Sequence, residues 1–170
     1  MTMQANGNIY LTGFMGAGKT TVGKLLARKN GLGFIDLDDV IVKQTGKSIP
    51  DIFRNEGEEW FRKVESQVLE RMTGKRAVIS TGGGAVEKEE NVAFMRKTGL
   101  TFFLDAPFDV LYERIKADPG RPLAGIDRTK LEERYSGRRK AYATADVTIQ
   151  TMGLTPREIV KAIVEAGQPL

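Results

Sequence analysis

The chain has 170 residues, 41% of them hydrophobic, which is enough to bury one core and falls within the range of a single domain. Lys and Arg number 26 against 22 Asp and Glu, a net charge of +4 with no basic run or aromatic platform, which argues against a general nucleic-acid binder. There is no Cys and no His, so disulfides, thiolate zinc sites, cysteine nucleophiles and imidazole bases are excluded, and any chemistry falls to carboxylates, Lys, Arg and a bound cation.

Met1 to Asn8 is short and polar, and no stretch of the chain approaches a membrane span, so a cytoplasmic protein is expected. Ile9-Tyr10-Leu11 reads as a buried strand. It runs into Gly13-Phe14-Met15-Gly16-Ala17-Gly18-Lys19-Thr20, a complete G-x-x-x-x-G-K-[ST] loop, and then into a helix marked by Val22, Leu25 and Leu26 and ended by Gly31. Strand, loop and helix in that order form a phosphate cradle: glycines turn backbone N–H groups toward phosphate oxygens, and the helix adds its positive end. Gly16, Ala17, Gly18, Lys19, Thr20 and Thr21 are therefore the candidate residues for binding ATP or GTP, with Lys19 on the β- and γ-phosphates and the Thr20 hydroxyl on Mg²⁺.

Phe34-Ile35 forms a second strand that ends at Asp36-Leu37-Asp38-Asp39, and a helix continues toward Gly46. In extended geometry Asp36 and Asp38 project to the same side, one to hold a metal through water and the other to take a proton from a hydroxyl attacking the γ-phosphate. The competing reading is that Asp38 or Asp39 caps the helix. Ser48 is the expected N-cap of the next helix, with Asp51 at its third position. A longer helix spans about Glu58 to Thr73, its buried side marked by Phe61, Val64, Val68 and Met72.

The strand Ala77 to Ser80 leads into Gly82-Gly83-Gly84, a run that is costly as mere linker and is explained by close approach of a ligand, with a plain tight turn as the alternative. A helix from about Lys88 to Lys97, a strand from Leu100 to Leu104 and a helix opened by Ala106-Pro107 and reaching Lys116 follow. Residues 117 to 127, rich in Pro and Gly, read as a mobile loop carrying Arg121. The charged helix from Thr129 to Ala143, the strand Val147 to Ile149 and a final helix capped by Thr155 with Pro156 and Glu158 complete the chain.

Strands alternating with helices predict an α/β fold, three layers around a five-stranded parallel sheet, with ligands beyond the carboxyl ends of the strands. Arg62, beside Phe61 on its helix, and Arg138 are candidates for forking onto a small acid. For Arg138 the alternative is a solvated charge among Arg134, Arg139 and Lys140. Arg121 is a candidate to meet the transferring phosphoryl group when its loop closes, or else simply moves in solvent.

G-F-M-G-A-G-K-T-T-V-G at Gly13 to Gly23, F-I-D-L-D-D at Phe34 to Asp39, F-R-K-V-E at Phe61 to Glu65 and S-T-G-G-G-A-V at Ser80 to Val86 together resemble the shikimate kinase family. R-P-L-A-G at Arg121 to Gly125 and R-R-K-A-Y at Arg138 to Tyr142 carry the likeness over nearly the whole chain. The resemblance implies a P-loop NTPase fold of the nucleoside-monophosphate-kinase type in one domain, residues 1–170, with a lid at about 117–127. It also implies transfer of the ATP γ-phosphate to the 3-hydroxyl of shikimate, a step toward aromatic amino acids. Mapped onto this sequence, it places shikimate against Asp38, Arg62, the glycines Gly82, Gly83 and Gly84, and Arg138, with Asp38 nearest the reacting hydroxyl. It gives Thr20 and Asp36 to Mg²⁺, and makes Lys19, Asp38 and Arg121 the catalytic set, with Arg121 on ATP. A monomer without nucleic-acid or membrane partners is expected. Two other readings are a gluconate or nucleoside-monophosphate kinase of the same architecture and a GTPase-like switch, although the latter's N-K-x-D motif does not occur here.

Overall fold

A computed structural model describes residues 7–119 and 127–167. Five strands, β1 (Asn8–Thr12), β2 (Gly33–Asp36), β3 (Ala77–Ser80), β4 (Gly99–Asp105) and β5 (Val147–Gln150), form one sheet in the order β2-β3-β1-β4-β5. Every pairing is parallel. β1 and β3 are buried along their whole length, which is why they read as continuous apolar runs rather than alternating ones. Ile9, Leu11, Val78, Ile79 and Phe102 are fully buried at its centre.

Helices cover both faces of the sheet. They are α1 (Lys19–Asn30), α2 (Leu37–Thr45), α3 (Ile49–Asn55), α4 (Glu58–Glu70), α5 (Glu89–Thr98), α6 (Phe108–Ala117), α7 (Arg128–Tyr142) and α8 (Pro156–Ala166). The expected stop and start signals hold: Gly31 and Gly46 end α1 and α2 in the left-handed region, Ser48 caps α3 through the Asp51 amide, and Thr155 with Glu158 forms a reciprocal capping box on α8. α4 stops at Glu70, three residues short of expectation, because the chain tightens into turns there, with Met72 N–H on the Leu69 carbonyl and Gly74 at φ +72°. A single 3-10 turn, Ala85–Glu87, was not expected from the sequence. Among the described residues no helix is long and apolar enough to cross a membrane.

The register aligns the exits of three strands. Asp36 lies opposite Ser80, and Ser80 opposite Leu11, so the segments following β1, β2 and β3 leave the sheet along one edge. β1 is the switch point between the β3 and β4 sides of the sheet, and the phosphate loop leaves from it.

Candidate active site

Phe14 and Ala17 are buried and anchor the phosphate loop, while Gly16 takes φ +81°. A Cβ at Gly16 would sit 3.1 Å from the Leu111 carbonyl oxygen and 3.0 Å from Ile115, so both its backbone angle and the pressure of α6 demand glycine. Lys19 folds back across the loop, its ammonium donating to the Gly13 carbonyl at 2.5 Å and the Phe14 carbonyl at 3.2 Å. α1 begins after Gly18 with neither a side-chain cap nor an acidic residue in its first turn. Every other α-helix among the described residues has one or the other. The positive end of α1 is thus left for an anion from outside the chain.

Asp36 and Asp38 both face the same cavity, but not as neighbours on an extended strand. The strand ends at Asp36 and helical geometry starts at Leu37. Asp36 is itself the N-cap of α2, its Oδ1 accepting from the Asp38 amide at 2.9 Å and the Asp39 amide at 3.4 Å, so the capping role belongs to Asp36 rather than to Asp38 or Asp39. The other oxygen of Asp36 accepts the Thr20 hydroxyl at 3.4 Å. Asp38, in the first turn of α2, has a buried Oδ1 with no hydrogen-bond partner among the described residues. Burial, and then the charge of Asp36, push its carboxyl above the ordinary range, against the attraction of Lys19 and Arg62.

Arg62 projects from α4 and donates to Oε1 of Glu65, one turn on, at 2.8 Å. Glu65 is fully buried, and its second oxygen has no partner among the described residues. Burial raises the Glu65 carboxyl, with Arg62 pulling the other way and Asp38 adding to the rise. For Arg62, burial works against the charge, but Glu65, Glu87 and Glu58 more than offset it and hold the guanidinium above its ordinary value.

The triple glycine lines the cavity and also has a cause inside the chain. A Cβ on Gly82 would lie 2.6 Å from Glu65 Oε2 and 3.1 Å from Asp38 Oδ1, and one on Gly84 would collide with the Arg62 guanidinium. Gly82 and Gly84 make room for the protein's own charged side chains. Gly83 is held from the other side: its carbonyl accepts the Tyr142 hydroxyl. Burial pushes that hydroxyl up to about 12, against the pull of the adjacent Arg138. Tyr142 stacks on Phe103 at 5.0 Å between ring centroids.

Arg138 is not on a solvated face. It is 7% exposed and its guanidinium lies 6.0 Å from the centre of the Phe14 ring, whereas its neighbour Arg139 turns to Asp105 at 3.1 Å. The cavity that joins these groups encloses about 570 Å³. Lys19, Thr20, Asp36, Asp38, Arg62, Gly82, Gly83, Gly84 and Arg138 line it, while Gly16, Ala17, Gly18 and Thr21 do not. Arg121 and the core of the expected lid, residues 120–126, lie outside the described residues.

Sequence reasoning assigned no role to six contributors. Ile49, Pro50 and Phe53 of α3 supply an apolar wall, with Phe53 packed on Phe61 at 4.8 Å. Glu65 was legible as the residue three positions beyond Arg62 on the same helical face, and Tyr142 as the residue four beyond Arg138. Glu87 could not be found, because its 3-10 turn leaves no periodic trace.

Comparison with known proteins agrees with this geometry. The family model described as Shikimate kinase matches residues 15–168. The chain is similar to the shikimate kinase of Persephonella marina, 48% identical with 92% of this chain and 96% of that one covered. It is also similar to the solved structure of the shikimate kinase from Acinetobacter baumannii in complex with shikimate, at TM-score 0.86 and 39% identity, covering 94% of this chain and 91% of that one. A gluconokinase from Sinorhizobium meliloti shares the fold at TM-score 0.61 and 19% identity, covering 95% and 91%.

Proposed function

This chain belongs to the shikimate kinase family, whose reaction moves the γ-phosphoryl group of ATP to the 3-hydroxyl of shikimate, and we propose that Lys19, Asp38, Arg62 and Arg138 carry that reaction in the 570 Å³ cavity. The observation that supports this division of roles is the convergence, in one cavity, of a phosphate loop, a carboxylate with a buried oxygen, the buried Arg138 and the half-buried Arg62.

Phosphoryl transfer asks little covalent chemistry of a protein, so catalysis rests on alignment and on cations around the transferring group. Lys19 serves the β- and γ-phosphates from the loop. Arg62 and Arg138 fork onto the carboxylate of shikimate, and Ile49, Pro50 and Phe53 exclude water from its ring. Asp38 orients the 3-hydroxyl and takes its proton, and the burial that raises its carboxyl brings its basicity closer to neutral pH. The oxygen pair of Thr20 and Asp36, 3.4 Å apart, suits a hard cation. Thr20 directly, and Asp36 through water, would hold Mg²⁺, which when bound neutralises charge on the nucleotide phosphates. Arg121 completes the cation set on sequence grounds.

The acceptor is tested by coupled ADP release from Mg²⁺-ATP with shikimate, gluconate and mixed nucleoside monophosphates offered separately. Turnover with shikimate alone supports the reading. Turnover with another acceptor and none with shikimate would overturn the acceptor while leaving the nucleotide site standing.

A further inference from the structure

Arg62 and Arg138 reach the cavity from different helices, and one carboxylate of the chain stands between them. Oε2 of Glu87 lies 3.8 Å from Nη2 of Arg62 and 3.4 Å from Nη2 of Arg138. The guanidinium side chains are 13% and 8% exposed, but the Glu87 side chain is 45% exposed, so the anion enters from the rim toward two better-shielded cations.

The backbone behind Glu87 is fixed. Gly84 has no side chain to keep the chain away from Arg62, the Glu87 amide closes the 3-10 turn on the Gly84 carbonyl at 3.1 Å, and buried Asn91 donates to the Ala85 carbonyl at 2.9 Å. Among the described residues the carboxylate itself is held by charge, and neither contact to it is an aligned hydrogen bond. Arg62 also has Glu65 at 2.8 Å and Glu58 at 3.5 Å, whereas Glu87 is the single carboxylate paired with Arg138 among the described residues.

We propose that the Glu87 carboxylate is an intramolecular competitor for the place of the substrate's carboxylate, and that it sets the affinity of this chain for shikimate. The proposal rests on the reading that Arg62 and Arg138 hold that carboxylate. Two guanidinium groups facing one cavity repel each other, and a rim carboxylate relieves the repulsion while the site holds no acid. A substrate carboxylate that accepts aligned, forked hydrogen bonds displaces it, because it adds bidentate hydrogen bonds to the charge attraction that Glu87 supplies alone. Glu87 then swings into solvent, which its exposure permits. Part of the substrate's binding energy is spent on that displacement.

The test is calorimetric titration of shikimate into the wild type and Glu87→Gln, which keeps the shape and removes the charge, with Glu87→Ala as a second variant. A pair whose anion is exposed and unaligned implies a fall in Kd for shikimate of about two- to five-fold in both variants, with the KM for ATP unmoved. The gain shrinks when Arg138→Ala is added, because the nearer of the two guanidinium groups that Glu87 competes for is then gone. An unchanged or raised Kd in both Glu87 variants, while Arg62→Ala and Arg138→Ala weaken shikimate, overturns the proposal alone. If neither arginine variant weakens shikimate, the reading beneath it falls as well.

Discussion

Asp38 and Glu65 converge on the space that a Cβ on Gly82 would fill, Oδ1 of Asp38 at 3.1 Å and Oε2 of Glu65 at 2.6 Å from it, and neither oxygen has a hydrogen-bond partner among the described residues. Two carboxylates so placed store free energy at neutral pH, because burial disfavours the charged form of both and the charge of Asp38 further disfavours that of Glu65.

The first prediction concerns stability. A carboxyl whose pKa is raised by folding contributes stability that is fully present below its unfolded pKa and is lost as pH rises through the folded value. Wild-type protein therefore carries the penalty of a buried Asp38 anion at pH 7. Asp38→Asn melts at a higher temperature than wild type at pH 7, and the difference narrows as the pH falls toward the ordinary aspartate range. Thermal melts across pH check this, and a variant less stable than wild type at neutral pH contradicts it.

Glu65→Gln separates positioning from catalysis. The amide cannot hold the Arg62 guanidinium as the carboxylate does at 2.8 Å, so Arg62 loses its fixed orientation toward the cavity. Loss of one charge-assisted hydrogen bond implies a rise in KM for shikimate of about ten-fold or more, with the KM for ATP unchanged. Steady-state kinetics with each substrate varied in turn decides it, and a fall in kcat alone counts against it.

How much of this was legible follows from where the information lies. Gly31, Gly46, Ser48 and Thr155 mark helix ends through local backbone chemistry, so those boundaries were readable residue by residue. The phosphate loop was readable because its glycine spacing has a single physical use. The pairing of Arg62 with Glu65 was half visible as a helical spacing, but whether that face met solvent or a cavity depended on β3 and its glycines, nearly twenty residues away in sequence. Asp36 and Asp38 show the limit of periodicity: an alternation that is valid for a strand was applied across the point where the chain turns helical. The roles of Gly82 and Gly84 were invisible, because the side chains they accommodate come from other elements.

Tyr142→Phe tests the far wall. Its hydroxyl donates to the Gly83 carbonyl next to Arg138, and removing one hydrogen bond of this kind costs about 0.5–1.5 kcal/mol. The expected effect is a rise in KM for shikimate of about two- to twelve-fold with kcat and fold retained. Because burial places the Tyr142 hydroxyl at about 12, ionisation of this group adds no alkaline limb to the wild-type profile below that range. An alkaline limb near pH 10 that vanishes in Tyr142→Phe contradicts the assignment.

Arg62→Ala and Arg121→Ala divide binding from turnover. Arg62 is proposed to hold the acid, so its loss raises the KM for shikimate first. Arg121 is proposed to meet the transferring phosphoryl group, so its loss lowers kcat with a modest effect on shikimate affinity. Initial-rate measurements give both constants, and equal changes in both for both variants dismantle this division of labour.

The measurement that bears most directly on the account is turnover of Asp38→Asn with shikimate at saturating Mg²⁺-ATP, compared with wild type. A positioned proton acceptor contributes about 10²- to 10⁴-fold, and kcat is predicted to fall by that order while the variant remains folded and still binds ATP. Turnover within a few-fold of wild type would contradict the assignment of Asp38 as the group that orients and deprotonates the attacking hydroxyl.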